Sequence, residues 1–195
     1  MAIAAVPFSL VTIFAELRRR RGRAAVGDVV LLAALTASGI PLYWAHIYES
    51  LPRIHDVTTD TENPPLFVGP AMTEMGGEHF AYDRGRTAHL QATGYPDLAP
   101  LHLSGSADRA FGDALAVASD LEWEIVRTDP DNGRIEAIST SFWFRYKNDI
   151  AIWVAPVAGA VRIDLRSVSR VGGGGDMGVN ADLVRRFIDA LGRRH

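Results

Sequence analysis

The sequence predicts an α+β protein in which N-terminal transmembrane helices are followed by an antiparallel sheet with helices packed on one face. Three observations lead to this fold class. Two apolar runs, at 2–17 and 24–48, flank an arginine cluster near the N-terminus. Short segments with alternating apolar and polar residues fill much of the second half and are separated by turns. Two amphipathic helical patterns, at 107–118 and 181–191, bracket these segments.

Residues 1–50 are predicted to form a membrane anchor of two apolar helices. The first run is about as short as a span can be, because transmembrane helices usually need about 17 to 25 residues. The second run is long enough to cross roughly 30 Å of hydrocarbon, and Tyr43, Trp44 and Tyr48 lie near its end, as interface aromatics do. No basic residue precedes the first run, which argues against a cleaved signal peptide. The alternative is that both runs are core helices of a soluble protein.

The arginines at 18–21, between the two apolar runs, determine the predicted orientation. Basic loops stay in the cytoplasm, so the second helix should run outward. The C-terminal part would then lie in the periplasm, at a bacterial inner membrane. A nucleic-acid-binding patch is the other interpretation of such a run, but its position between apolar spans favours a topology signal. The net charge of −3 gives no general sign of nucleic-acid binding.

Residues 51–100 are predicted to be an extended periplasmic linker. The first part of this segment is rich in Pro, Thr, Asp and Asn and has no helical or strand period, and Pro64–Pro65 enforces extended backbone. His55, Asp56 and Asp60 have the chemistry of metal ligands. Turn formation and backbone capping by Asp and Thr are the favoured interpretation, so no metal site is predicted.

Residues 101–195 are predicted to be the soluble α+β domain. Ser106 is a suitable N-cap for the first helix, and a turn at 129–133 has strong hairpin chemistry. The predicted elements follow in chain order: a helix at 107–118, strands at 121–128, 134–144, 150–155 and 161–170, and a helix at 181–191. Alternation along the last strand points Val161, Ile163 and Leu165 inward and places its charged residues on the opposite face.

Four segments of this sequence resemble the domain-of-unknown-function family 1499. They are IHDVTTDTENPP at 54–65, RIEA at 134–137, KND at 147–149 and RSVSRVGGGGDMGVN at 166–180. The first of these is typical of a bacterial subset that carries helices ahead of the domain. The resemblance covers residues 51–191. It implies a membrane-anchored envelope domain with no established biochemical activity, so it implies no catalytic residues.

A strand, a glycine-rich loop and a helix N-terminus follow one another at 161–191 and predict a candidate anion cradle. Glycines let backbone N–H groups approach a ligand, the helix N-terminus is partly positive, and arginines bind phosphate or carboxylate with two hydrogen bonds. The candidate ligand-binding residues are Arg166, Arg170, Gly172, Gly173, Gly174, Gly175, Asp176 and Asn180. In the structural alternative, Asp176 caps or pins the loop, Asn180 caps the helix, and the arginines pair with Asp164 or Glu136.

The predicted function is a non-catalytic, membrane-anchored periplasmic domain that binds another envelope component. Such a chain would be an accessory subunit of an inner-membrane complex, with the lipid bilayer and a membrane protein as partners and no nucleic acid. No catalytic residue, metal or cofactor is predicted, since no serine lies in a nucleophile elbow and the chain has no cysteine. The alternative is an enzyme or binding protein that uses the Arg/Gly-rich loop for an anionic small molecule or lipid. A weaker hypothesis is a lipid-handling surface formed by Phe142, Trp143, Phe144 and Trp153.

Overall fold

The computed structural model describes residues 13, 23–142, 144–171 and 175–194. The first predicted span, apart from residue 13, and the arginine cluster at 18–21 lie outside these residues. The described chain divides into two compact units, one ending at Ser50 and the other beginning at Leu51.

The first unit contains helix α1 (Arg23–Ser50), which confirms the second predicted apolar run as a helix. Its segment Gly27–Ser50 is long and apolar enough to cross a membrane, with a mean hydropathy of 1.5. None of the described side chains in that segment is buried, unlike those of a core helix in a soluble domain. Membrane spans and N-terminal signal sequences both have these properties.

Among the described residues, six strands of the second unit form one antiparallel sheet, which confirms the predicted α+β class. The strands are β1 (Asp56–Thr58), β2 (Leu101–Leu103), β3 (Glu124–Asp129), β4 (Arg134–Thr140), β5 (Lys147–Val157) and β6 (Ala160–Ser169). The order across the sheet is β1-β6-β5-β4-β3, and β2 pairs with the first half of β6. Strands β3 to β6 therefore form a meander, as the sequence predicts.

Four further helices of the described chain complete the second unit: α2 (Pro70–Met75), α3 (Arg86–Gly94), α4 (Ala107–Asp120) and α5 (Val179–Arg194). The Ser106 side chain caps α4 as predicted, because it accepts a hydrogen bond from the Arg109 N–H at 3.3 Å. The predicted hairpin turn ends at Gly133, whose φ is +61°. A Cβ there would lie 2.0 Å from the Val154 carbonyl oxygen, so the turn requires glycine.

Alternation along the strands gives the sheet two buried faces. On one face, α4 and α5 pack against apolar residues such as Ile135 and Ile163. Trp123 stacks on Phe187 of α5 there, with ring centroids 5.6 Å apart. The opposite face is not open to solvent, because a second apolar cluster covers it. That cluster contains Phe67, Ala71, Phe80, Ala151 and Val168.

Residues 51–100 are not the extended linker that the sequence predicts, because they fold onto the sheet. Strand β1 pairs with β6, with Asp56 opposite Val168. The backbone between β1 and α2 has little regular structure, but a buried carboxylate of β4 holds it. Glu136 accepts hydrogen bonds from the N–H groups of Val68 and Gly69 at 2.8 and 2.9 Å. The absence of a helical or strand period suggested a free linker. It is misleading because side chains of the sheet, rather than a regular strand ladder, provide the hydrogen bonds of this backbone.

Candidate functional site

Arg166 lies in β6 on the sheet face that the second apolar cluster covers, and its side chain is only 1% exposed. Its guanidinium donates two hydrogen bonds to the Asp56 carboxylate, at 2.9 and 2.6 Å. It also donates to the carbonyl oxygen of Phe80 at 2.8 Å and, over a longer 3.4 Å, to that of Pro65. Arg166 therefore joins β6 to three points of the 51–100 segment, and four of its hydrogen bonds stay within the protein.

Two aromatic rings flank the same guanidinium. Its carbon lies 5.4 Å from the Phe67 ring centroid and 5.2 Å from that of Tyr82, within the range of cation–π attraction. Burial, together with the nearby Asp56 charge, raises the pKa of Tyr82 to about 12. The phenol therefore stays neutral at physiological pH, and the buried charges here are those of Arg166 and Asp56.

Arg170, the second predicted cradle arginine, lies just beyond the end of β6 and is also paired. It donates two hydrogen bonds to Asp149 of β5, each 2.8 Å long, and one to Glu74 of α2 at 2.7 Å. The hydrogen bonds to Asp149 raise the pKa of Arg170 above its ordinary value. The arginines thus pair with Asp56 and Asp149, and not with the carboxylates that the structural alternative named.

A third ion-pair cluster connects β6 to the chain that follows β1. Arg162 donates to Asp164 at 2.7 and 3.1 Å and also contacts Asp60. The Thr59 hydroxyl donates to Asp164 at 3.1 Å. Arg166 and Arg162 therefore engage Asp56 and Asp60, two of the residues considered as metal ligands. The described residues contain no group of three histidines or carboxylates arranged to hold a metal ion.

Helix α5 is capped by Asp176, and not by Asn180 as the sequence predicts. The Asp176 carboxylate accepts hydrogen bonds from the N–H groups of Gly178 and Asn180, at 3.0 and 2.6 Å. Backbone N–H groups at the start of a helix have no partner within the helix. Here they donate to the Asp176 carboxylate. Burial raises the pKa of Asp176, and the two hydrogen bonds oppose this shift. Asn180 lies inside the helix instead.

The Asn180 side chain fixes the start of α5 to the sheet. It accepts a hydrogen bond from the Ser167 hydroxyl at 2.6 Å and donates to Ser169 Oγ at 2.9 Å. It also donates to the His55 carbonyl oxygen at 3.0 Å. Ser169 in turn donates to Asn148 of β5 at 2.6 Å. The alternating serines of β6 therefore belong to a buried structural network.

Of the predicted glycines, Gly172, Gly173 and Gly174 lie outside the described residues. Gly175 has a φ of +102°, and a Cβ there would lie 2.9 Å from the Arg53 Cα. The next residue, Asp176, donates its N–H to the Ile54 carbonyl oxygen at 3.0 Å. The loop therefore packs closely on the chain that leads into β1, which explains glycine at this position.

A polar cavity of about 450 Å³ opens beside Gly175. Its walls carry basic and acidic side chains: Arg53, His55, His79, Arg86, Asp56 and Asp83. The His79 Nε2 atom is buried and has no hydrogen-bond partner among the described residues. Burial, with neighbouring positive charge, lowers the pKa of His79. An unsatisfied buried polar atom costs about 1–3 kcal/mol, so a hydrogen-bond partner for His79 Nε2 would remove that cost. Of the described residues of the predicted cradle, only Gly175 lines this cavity.

Sequence reasoning missed the partners of the arginines and the residues of the cavity. A usable signal existed for Asp56 and Asp149, because both lie in segments that carry the family resemblance, as the arginines do. These separated segments meet as buried ion pairs. His79 and Arg86 lie in no such segment and give no sequence signal.

A family model described as "Protein of unknown function (DUF1499)" matches residues 56–191. The matched region begins with β1 and ends within α5, so it contains all six described strands and leaves out α1. It also contains every ion pair of β6 described above. No curated protein matches the chain.

Proposed function

This chain belongs to the DUF1499 family of proteins of unknown function, and from that premise we propose that it is a non-catalytic, membrane-anchored domain that binds another envelope component. In this proposal α1 is the anchor in a bacterial inner membrane, and residues 51–195 lie in the periplasm. The partner is an inner-membrane protein complex, of which the chain is an accessory subunit. The observation that carries the proposal is an exposed apolar helix that ends at Ser50, directly before the domain begins.

The surface of α1 supports a lipid environment. Leu31, Leu35 and Leu42 are largely exposed, which is unfavourable in water and favourable in hydrocarbon. The Thr36 hydroxyl donates to the carbonyl oxygens of Leu32 and Ala33, both at 3.0 Å, so this polar group needs no water. Tyr43 and Trp44 are exposed near the end of the helix, where interface aromatics are common.

The charged side chains of the domain support a binding role. The arginines at 162, 166 and 170 each pair with a carboxylate that is itself buried, Asp164, Asp56 and Asp149 respectively. Such pairs position the 51–100 segment on the sheet. Groups held in this way serve the fold, whereas general acid–base catalysis needs a group that can exchange a proton with a substrate.

Protease added to intact spheroplasts tests the orientation. Residues 51–195 should be digested without lysis, and replacing the four arginines at 18–21 by asparagine should produce a protected fraction. Complete protection of the natural sequence until lysis would refute a periplasmic domain.

Extraction in mild detergent tests the partner. The full chain should migrate with a larger complex. Migration of the natural chain as a lone monomer would contradict the accessory-subunit role.

A second candidate function, binding of an anionic small molecule, is favoured by the cavity beside Gly175. Arg53 and Arg86 supply positive charge there, and His79 Nε2 has no partner among the described residues. Of the two carboxylates in the walls, Asp56 is paired with Arg166, and Asp83 accepts hydrogen bonds from the N–H groups of Gly85 and Arg86. Inorganic phosphate, titrated by calorimetry, should bind the full chain and bind Arg86→Gln more weakly, with Arg109→Gln as the control on a different helix. Equal heats for all three proteins would exclude this function.

A further inference from the structure

Exposed apolar side chains collect at one end of the second unit, which we call the aromatic end. Phe142 and Phe144 are 82% and 74% exposed. The residues of the aromatic end are Phe142, Phe144, Tyr146, Val171, Met177 and Val179. A soluble monomer rarely exposes a group of large apolar side chains to water, so we expect another molecular surface to cover this end.

Strand pairing and helix position bring these residues together. Thr140 pairs with Lys147, so the loop at 141–146 connects the ends of β4 and β5. Asn148 pairs with Ser169, so the end of β6 lies beside the same loop. Phe142 and Val179 line one cleft, which places the start of α5 there too.

The loop that carries the phenylalanines has a defined conformation. β4 ends at Thr140, earlier than predicted, because Ser141 begins a turn. Its carbonyl oxygen accepts from the Arg145 N–H at 3.2 Å, and its hydroxyl accepts from the Tyr146 N–H at 2.9 Å. Phe144 and Tyr146 stack with ring centroids 5.5 Å apart. The rings are therefore displayed by a fixed turn. Trp143 lies outside the described residues.

The chain enters the second unit at this same end. A Cβ on Gly178, one residue before α5, would lie 3.5 Å from a methyl group of Leu51. Leu51 directly follows the last residue of α1. If α1 spans a bilayer, the chain leaves the membrane and reaches the domain at its aromatic end.

The charge of the loop at 141–146 indicates which kind of surface covers the aromatic end. Arg145 and Lys147 are exposed, and the segment 141–147 contains no acidic residue. Aromatic rings beside basic side chains are typical of protein surfaces in the headgroup region of anionic membranes. Each basic residue near such a surface adds attraction to anionic lipid.

We propose that the aromatic end docks on the anionic headgroup region of the bilayer that holds α1. Phe142, Phe144 and Tyr146 enter the interface, and Arg145 and Lys147 contact lipid phosphates. This inference rests on the proposed membrane anchor. It adds a second membrane contact that would fix the orientation of the domain above the bilayer.

Depth-dependent quenching tests the docking. The chain has no cysteine, so Phe144→Cys gives a single labelling site for an environment-sensitive fluorophore. The control is Val157→Cys. Val157 is also exposed and is the last residue of β5, about 33 Å from Lys147, the first residue of that strand next to the loop. Both full-length variants are reconstituted in nanodiscs that contain phosphatidylglycerol and nitroxide-labelled lipid.

Docking predicts a blue-shifted spectrum and lipid quenching at position 144, with neither at position 157. Adding Arg145→Glu and Lys147→Glu should reduce the quenching at position 144. Aqueous spectra at both positions in lipid-incorporated protein would overturn the docking and leave the anchor intact. Failure of the chain to incorporate into nanodiscs would overturn the anchor itself. Shielding of position 144 only after addition of a co-purified protein would make the aromatic end a protein interface and also overturn the proposal.

Discussion

The ion pair between Arg166 and Asp56 gives the sharpest test of how this domain is held together. Asp56→Asn keeps the size of the side chain but removes the charge that neutralises a guanidinium with 1% exposure. Both Asp56 hydrogen bonds, at 2.9 and 2.6 Å, lose their charged acceptor. The Phe80 and Pro65 carbonyl oxygens cannot neutralise the cation that remains. Breaking a buried pair in this way costs about 3–5 kcal/mol.

Urea unfolding of the full chain in detergent measures this loss through near-ultraviolet circular dichroism, which reports Trp123 and its aromatic neighbours. With a slope of about 2 kcal/mol per molar urea, a 4 kcal/mol loss moves the midpoint by about 2 M. Asp182→Asn is the matched control, because that carboxylate pairs with Arg186 at the surface. The control should cost less than about 1 kcal/mol.

A double variant separates charge from packing. Arg166→Met together with Asp56→Asn removes both charges, so it should be more stable than Asp56→Asn alone. A midpoint for Asp56→Asn equal to that of the control, or additive effects in the double variant, would refute the structural role assigned to this pair.

Three further predictions concern the surroundings of the predicted cradle, each measured as a melting temperature of the full chain. Gly175→Ala should destabilise the fold by about 1–3 kcal/mol, because φ is +102° and the new methyl group would meet the Arg53 backbone. The control is Gly112→Ala on helix α4, which has open space around it and should be neutral or stabilising. Equal effects of the two changes would contradict the strain assigned to Gly175. Asn180→Ala should cost about 2–4 kcal/mol, because the Ser167 and Ser169 hydroxyls lose buried partners; a cost near zero would show that this network contributes nothing. His79 should make stability fall as the pH drops below 6.5, because its pKa is lowered in the folded state and the unfolded chain then binds more protons. His79→Phe should weaken this dependence between pH 7.5 and 5, and an unchanged slope would assign it to other groups.

The elements with a strong period could be predicted well. The meander from β3 to β6, the cap at Ser106 and the final amphipathic helix follow from local pattern, because each depends on neighbouring residues alone. The errors fall where a distant group satisfies the backbone. Residues 59–69 have no period of their own, and Glu136 and Arg166 hold this stretch from the sheet.

The candidate site shows the same division. Sequence pattern identified a loop, a helix start and two arginines, and the structure places Gly175, Asp176 and Asn180 around the junction of the loop with α5. The structure pairs the two arginines with Asp56 and Asp149, and this pairing could not be predicted from the sequence. Ion pairs between remote segments depend on strand register and side-chain burial, and the spacing of neighbouring residues predicts neither.

The sequence by itself determined an apolar N-terminal helix followed by an antiparallel α+β domain, because hydrophobic length and alternation are properties of adjacent residues. Only the tertiary structure decided that the supposed linker covers the second face of the sheet. Only it brought together the cavity beside Gly175 and the aromatic end. The physical reason is that a buried arginine needs a carboxylate, and the fold supplies one from a segment 110 residues away.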